Sequence, residues 1–236
     1  MPVIHRLAFA VLLFVSSVVS SAQAEPRAWD LTPHSKRYSQ FNEELVVRHF
    51  LADRRDGVFV DVGCYHWKQD STTYYLEAHL GWSGVGVDAL PWLRAGYEKN
   101  RPATRFFNYV VSETSGDSQT LFAAGPLSTT DEDRIDAWLP GQEREPIEVE
   151  TITLNDLLDR AGVTKIDFLS MDIEGGEGAA LRGFDIARFR PDLICIEVAA
   201  ANRDFVAKYF AKHGYERLEE YGPYDSVNRY YAPRSR

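Results

Sequence analysis

The stretch "FLSMDIEGGE", residues 168–177, decides how the rest of the chain is read. Phe168 and Leu169 open it as a buried strand would. It then turns acidic and glycine-rich, with Asp172, Glu174 and Glu177 close together and Gly175 and Gly176 between the last two. Carboxylates this close repel one another and lose hydration on burial. At the carboxyl end of a strand, however, they stand where an open α/β sheet receives its ligand.

The surrounding chain supports such a sheet. "VFVDVG" (58–63), "GVGVDA" (84–89), "TRFFNYVV" (104–111), "IDFLSMDI" (166–173) and "PDLICIEV" (191–198) read as core strands. Helices fall between them: 71–81 with Ser71 as N-cap and Gly81 as stop, 91–100 opened by Pro91, and 153–161 with Thr153 and Asp156 at capping-box spacing. "EGAALRGF" continues as helix, and an amphipathic helix from Asn202 stops at Gly214. A helical stripe over 41–51, ended by Gly57, precedes the first strand. Near-continuous apolar strands alternating with helices predict an α/β fold with a doubly wound, mostly parallel, Rossmann-like sheet. "YERLEEYGPYDSVNRYYA" (215–232) closes it as an antiparallel hairpin around Gly222-Pro223. Between residues 112 and 150 the pattern loosens. "QTLFAA" reads as a strand, "PLSTTDEDRIDAWLPGQEREP" (126–146) as an exposed insertion, and "IEVETITL" (147–154) as an edge strand.

A length of 236 residues, 44% hydrophobic and 26% charged, fits one large domain with an ordinary core. The net charge of -9 argues against nucleic acid as a partner. Arg6, an apolar run to about Val19, and Ala22-Gln23-Ala24 give the order of a secretory signal peptide over residues 1–24. The expectation is export to a periplasm or the outside, with an uncleaved membrane anchor as the alternative. Once the signal is cleaved, no stable membrane span is expected. Residues 25–37 read as a linker and 38–236 as the folded domain. Cys64 and Cys195 both fall on core strands, which favours two unpaired thiols over a bridge.

The predicted carboxyl edge collects Asp61, Gly63, Asp88, Asn108, Asp172, Glu174 and Glu197. A glycine after the first strand and an acid after the second suit a nucleoside cofactor, and Gly63 and Asp88 hold those places. G-x-G-x-x-G is missing, since Cys64, Tyr65, His66 and Trp67 follow Gly63, which argues against a dinucleotide. A phosphate-free nucleoside needs less glycine. S-adenosylmethionine is one, and its positive sulfonium favours nearby carboxylates such as Asp61. Neither a P-loop nor H-E-x-x-H is present, and no metal site is expected.

The ordered pieces "YSQFNEELVVRHFL", "GVFVDVGCY", "STTYYLE", "GWSGVGVDALP", "NRP", "NYVVS", "TLNDLLDRAGVTKIDFLSMDIEGGEGAALRGFD" and "PDLICIEV" resemble the FkbM-type methyltransferases over roughly residues 38–232. The resemblance implies a class I methyltransferase fold, S-adenosylmethionine as cofactor, and methyl transfer to a hydroxyl of a sugar or other small metabolite. It assigns Asp61 and Gly63, with Cys64 and Tyr65 after them, to the first cofactor motif. Asp88 becomes the ribose-binding acid, with Ala89 after it also at the cofactor, and Asn108 the polar residue near the adenine. Asp172, Glu174, Gly175 and Glu177 match the acidic signature. A hydroxyl acceptor needs a base as the new bond forms. The candidates are Asp172, which also borders the cofactor, then Glu174, then His66. Two departures stand out. "YHWKQD" (65–70) replaces the usual later glycine, and Gly176 stands where histidine is common. They keep a rival reading open, an exported methyltransferase-like module that binds without catalysis. Plainer roles also exist: Asp61 as a turn cap, Glu177 as a first-turn helix acid, Glu197 as a structural partner.

Overall fold

A computed structural model describes residues 38–142 and 146–234. The signal and linker expectations for residues 1–37 lie outside the described residues. The central sheet has seven strands, β1 (Val58–Val62), β2 (Ser83–Asp88), β3 (Thr104–Asn108), β7 (Phe168–Met171), β8 (Leu193–Glu197), β9 (Tyr215–Arg217) and β10 (Asn228–Pro233), in the order β3-β2-β1-β7-β8-β10-β9. Pairings from β3 through β8 are parallel; β10 runs antiparallel to both β8 and β9. The predicted parallel sheet and its closing hairpin are both present.

The inner parallel strands β1, β2, β7 and β8 are buried on both faces, which is why they read as apolar runs, while β3 at the edge leaves Arg105 exposed. One face carries α1 (Glu43–Phe50) and α2 (Tyr74–Leu80) over Phe59, Phe168 and Cys195. On that side α3 (Arg94–Asn100) places Tyr97 against Phe106 and Cys64. The other face carries α5 (Leu154–Arg160), α6 (Glu177–Arg182), α7 (Ile186–Phe189) and α8 (Arg203–Lys212) over Val60, Val62, Leu169 and Ile194. Both cysteines are free and buried.

Four local expectations need correction. The run 104–111 is two strands: β3 ends at Asn108, and β4 (Val110–Val111) joins a separate sheet ordered β4-β6-β5. There β6 (Pro146–Ile152) is the central strand, not an edge, because β5 (Ser118–Phe122) pairs along its other side. The first helix ends at Phe50, with Ala52 and Asp53 turning left-handed, well before Gly57. Ser71 lies before the N-cap Thr73, yet its Oγ does accept the Tyr74 N–H at 3.1 Å. Thr153 caps α5 through the Asp156 N–H as predicted, while its own N–H goes to Ser115 Oγ.

A buried polar staple fastens α1 to the turn before β10. Glu43 accepts from Asn228 Nδ2 and from the Phe41 N–H, and Asp225 accepts from Tyr230 Oη and Asn228. Burial, reinforced by Asp225, pushes the Glu43 carboxyl up to about 7. An acid raised in the folded state stabilises the fold only while protonated. That contribution declines as pH climbs from the unfolded value of 4.5 to about 7. Urea unfolding of Glu43→Gln should therefore show a shallower loss of stability across that window than the parent; parallel curves would refute the assignment.

Candidate active site

The strand order reverses between β1 and β7, and a crevice opens beyond their carboxyl ends. A cavity of about 240 Å³ occupies it. Gly63, Val87, Asp88 and Ala89 form one side, Asp172 through Gly176 another, and Tyr109, Val111, Gln119 and Leu121 a third. Gly125, Pro126 and Ser128 through Thr130 also line it. Residues 126–146 are therefore not simply an exposed insertion. Their first part roofs the cavity, and α4 (Glu132–Trp138) follows with Ile135 fully buried.

Gly63 sits at the switch point with φ +83, and its N–H bonds the Val87 carbonyl at 2.9 Å. Asp88 Oδ2 accepts from the Tyr65 N–H and Oδ1 from the Leu90 N–H, each at 2.9 Å. A carboxylate has about four acceptor positions, so capacity for hydroxyls remains. Loss of water around Asp88 pushes its pKa up to about 6, against those backbone bonds. Asn108 Nδ2 bonds the Asp88 carbonyl at 2.8 Å, bracing the end of β2.

The acidic stretch is organised from within. Glu177 is fully buried; its Oε1 accepts the N–H groups of Ile173 and Gly175, holding the loop in a tight turn. Asn202 Nδ2 bonds the Gly175 carbonyl at 3.0 Å and Glu177 Oε2 at 3.4 Å. Glu174 has φ 53 and meets Arg134 Nη2 at 3.1 Å. Asp172, Glu177 and Glu197 bring carboxylate oxygens within 4.8 Å of one another. Asp172 has surface open to the cleft, yet the walls crowd out much of its water. That crowding, with the charges of Glu197, Glu174 and Glu177, pushes its carboxyl well above the usual range. Glu174 rises to about 7 by burial and Glu197, with Arg134 pulling the other way.

Of the residues singled out in the sequence, Gly63, Tyr65, Asp88, Ala89, Asp172 and Glu174 meet at the cavity. Four do not. Asp61 turns beneath the sheet edge, where Thr73 Oγ1 donates to it at 2.7 Å and the charge of Arg101 faces it; burial pushes its carboxyl up to about 6. Cys64 is buried beside Tyr97 and Phe106. His66 Nδ1 accepts the N–H groups of Lys68 and Gln69, so the ring caps its own loop. Asn108 braces Asp88 from outside. Arg134 and the roof were missed, for "TTDEDRIDAW" carries no pattern that singles out one arginine. Gly176 does line the cavity, and a Cβ there would meet Ile173 at 3.1 Å, a tight but yielding contact.

This geometry defines an α/β domain with a cavity at its switch point beside an acidic cluster. The model of the methyltransferase FkbM domain matches residues 55–222, and the chain belongs to this family of S-adenosylmethionine-dependent methyltransferases. None of the curated proteins matches it. Among solved structures the chain is similar to a TehB-like SAM-dependent methyltransferase from Corynebacterium glutamicum, 15% identical, covering 84% of this chain and 89% of that one, TM-score 0.45. It is also similar to precorrin-6y C5,15-methyltransferase from Geobacter metallireducens, 12% identical, covering 74% and 71%, TM-score 0.42. A third is a SAM-dependent methyltransferase from Geobacter sulfurreducens in complex with S-adenosyl-L-homocysteine, 12% identical, covering 84% and 77%, TM-score 0.41. The assignment rests on the family match, and these likenesses add no weight to it.

The cofactor fits the residues present. Asp88 offers a half-buried carboxylate, Val87, Ala89, Tyr109 and Leu121 offer apolar walls, and the acids at Asp172–Glu174 suit a positive sulfonium.

Proposed function

We propose that this protein methylates a hydroxyl oxygen on a sugar or other small metabolite. The supporting observation is the pair Asp172 and Glu174, two carboxyls of raised pKa that line the same cavity as Asp88. The bound cofactor supplies an electrophilic methyl group. The chain orients the acceptor in line with it, which carries a large share of the rate. Gly63, Asp88 and Ala89 hold the nucleoside end, and Tyr109 packs beside it. Asp172, with Glu174 beside it, takes the hydroxyl proton as the acceptor bonds. A raised carboxyl serves better here than an ordinary one, because its affinity for the proton lies closer to neutral pH. The roof over residues 125–130 keeps water from the reacting atoms.

Export of the mature domain after Ala24 belongs to the same reading, and would bring the enzyme to acceptors outside the cytoplasm. The alternative, a non-catalytic binding module, draws on the histidine-free acidic stretch at Gly176. Calorimetry of the mature domain with S-adenosylmethionine and its demethylated product, beside methyl transfer to a panel of sugars, separates the two. Binding with turnover supports the enzyme; binding without turnover across the panel supports the module. Asp172→Asn should retain cofactor binding within a fewfold and lose about 10²–10⁴ in turnover. Unchanged turnover would remove Asp172 from the proton-accepting role.

A further inference from the structure

We propose that Arg134 is a positioning residue of the methyl-transfer site. Delivered by the roof, its guanidinium holds the negative charge on Glu174 and leaves Asp172 as the acid that takes up the proton. The inference rests on the methyltransferase reading and divides the labour between its two acids.

The charged groups around this point come from five places: Asp172 after β7, Glu174 on the acidic turn, Glu177 at the start of α6, Glu197 at the end of β8, and Arg134 on α4. Carboxylates so placed cannot all ionise together near neutral pH. Glu177 is committed to its backbone N–H groups. That leaves Asp172 and Glu174 as the acids that face the cavity. Arg134 Nη2 stands 3.1 Å from Glu174 Oε2 and 3.9 Å from Glu197 Oε2. Glu197 Oε2 is a buried atom with no hydrogen-bond partner, so the guanidinium is its nearest compensation.

The arrangement is built, not incidental. Asp131 accepts the Arg134 N–H and caps α4, and Trp138 lies under the guanidinium with 4.3 Å to its ring centroid. Thr129 Oγ1 donates to the Glu174 carbonyl at 2.9 Å, fastening the roof to the acidic turn. Gly175 leaves the space: a Cβ there would come within 2.7 Å of Arg134 Nη1. Pairs of acids whose surroundings drive them apart mark the separate roles in acid–base chemistry. Here the separation comes from a cation that reaches one acid and not the other. Glu174 then stays charged beside the cation, and Asp172, without one, is the acid that receives the hydroxyl proton.

The test uses the mature domain with carbon-13-labelled carboxyls, titrated by NMR, for the parent, Arg134→Met and Arg134→Lys. In Arg134→Met the Glu174 midpoint should rise by about one pH unit, a tenfold change in its proton equilibrium, and the Asp172 midpoint should fall. Arg134→Lys should restore most of the difference. A Glu174 midpoint unmoved in Arg134→Met, with thermal unfolding retained, overturns the proposal. If Arg134→Met fails to fold, an Arg134→Lys titration in which Asp172 ionises before Glu174 overturns it equally. Calorimetry with S-adenosylmethionine on the parent keeps the two readings apart. Absence of binding removes the methyltransferase reading, whereas the midpoints alone judge Arg134.

Discussion

Gly63→Ala is expected to lose about 3–5 kcal/mol of stability, summing a left-handed residue with a Cβ and a severe overlap. An added Cβ would lie 1.7 Å from the Asp172 carbonyl oxygen, and that oxygen belongs to backbone held by the sheet. The Asp172 N–H donates to the Val62 carbonyl at 2.9 Å, so neither strand end can retreat without breaking the β1–β7 ladder. Gly116 isolates the two contributions. It has the same φ of +83 with nothing within 4 Å of its Cβ position. Gly116→Ala should cost only about 1–2 kcal/mol, the left-handed backbone penalty. Denaturant unfolding of both variants provides the comparison. Equal losses would mean that the approach of Asp172 to Gly63 is not what excludes a side chain.

Arg101→Met should be nearly as damaging, with a loss of about 3–5 kcal/mol from a charge partner left buried alone. Arg101 is 1% exposed. Its Nε donates to Glu77 Oε2 at 2.6 Å, Nη1 to the Trp67 carbonyl at 2.9 Å, and Nη2 to Thr73 Oγ1 at 3.2 Å. The rings of Phe59, Tyr74 and Tyr97 surround the guanidinium at 5.5 to 5.7 Å from their centroids. Methionine would fill much of the volume but leave Glu77 charged without its cation. The double variant Arg101→Met with Glu77→Gln should recover part of the loss, because replacing both charges removes the unpaired one. Equal stability of single and double variants would show that lost packing, not the lone carboxylate, is the cost. The same arginine grips the Trp67 carbonyl inside "YHWKQD", so the segment that replaces a glycine loop is held by a distant side chain.

The rival reading as a non-catalytic module takes its support from this loop and from Gly176. The loop is ordered by Arg101 and by the His66 ring, and Tyr65 within it reaches the cavity. Its bulk therefore leaves the crevice open. Gly176 offers room for a side chain at the price of a small shift of Ile173. The acids proposed to handle the proton do not depend on it.

Much of this was legible along the chain. Apolar runs of four to six residues separated by capped helices determined a parallel sheet covered on both faces, because only strands buried twice lose their polar alternation. The acids and glycines closing those runs marked the edge where the cavity lies, and Gly63, Asp88 and Asp172 do meet there. The sequence did not determine which way each acid faces or what partners it. Asp61 shares the edge but turns to Thr73 and Arg101, and Glu174 finds its cation 40 residues away in a segment without periodicity. The single run 104–111 divides because β4 pairs with β6, a partner about 40 positions downstream. Propensity and spacing act between near neighbours. Charge pairing, desolvation and the closing of the roof act between residues that only the folded chain brings together, and those decided which partner each acid meets.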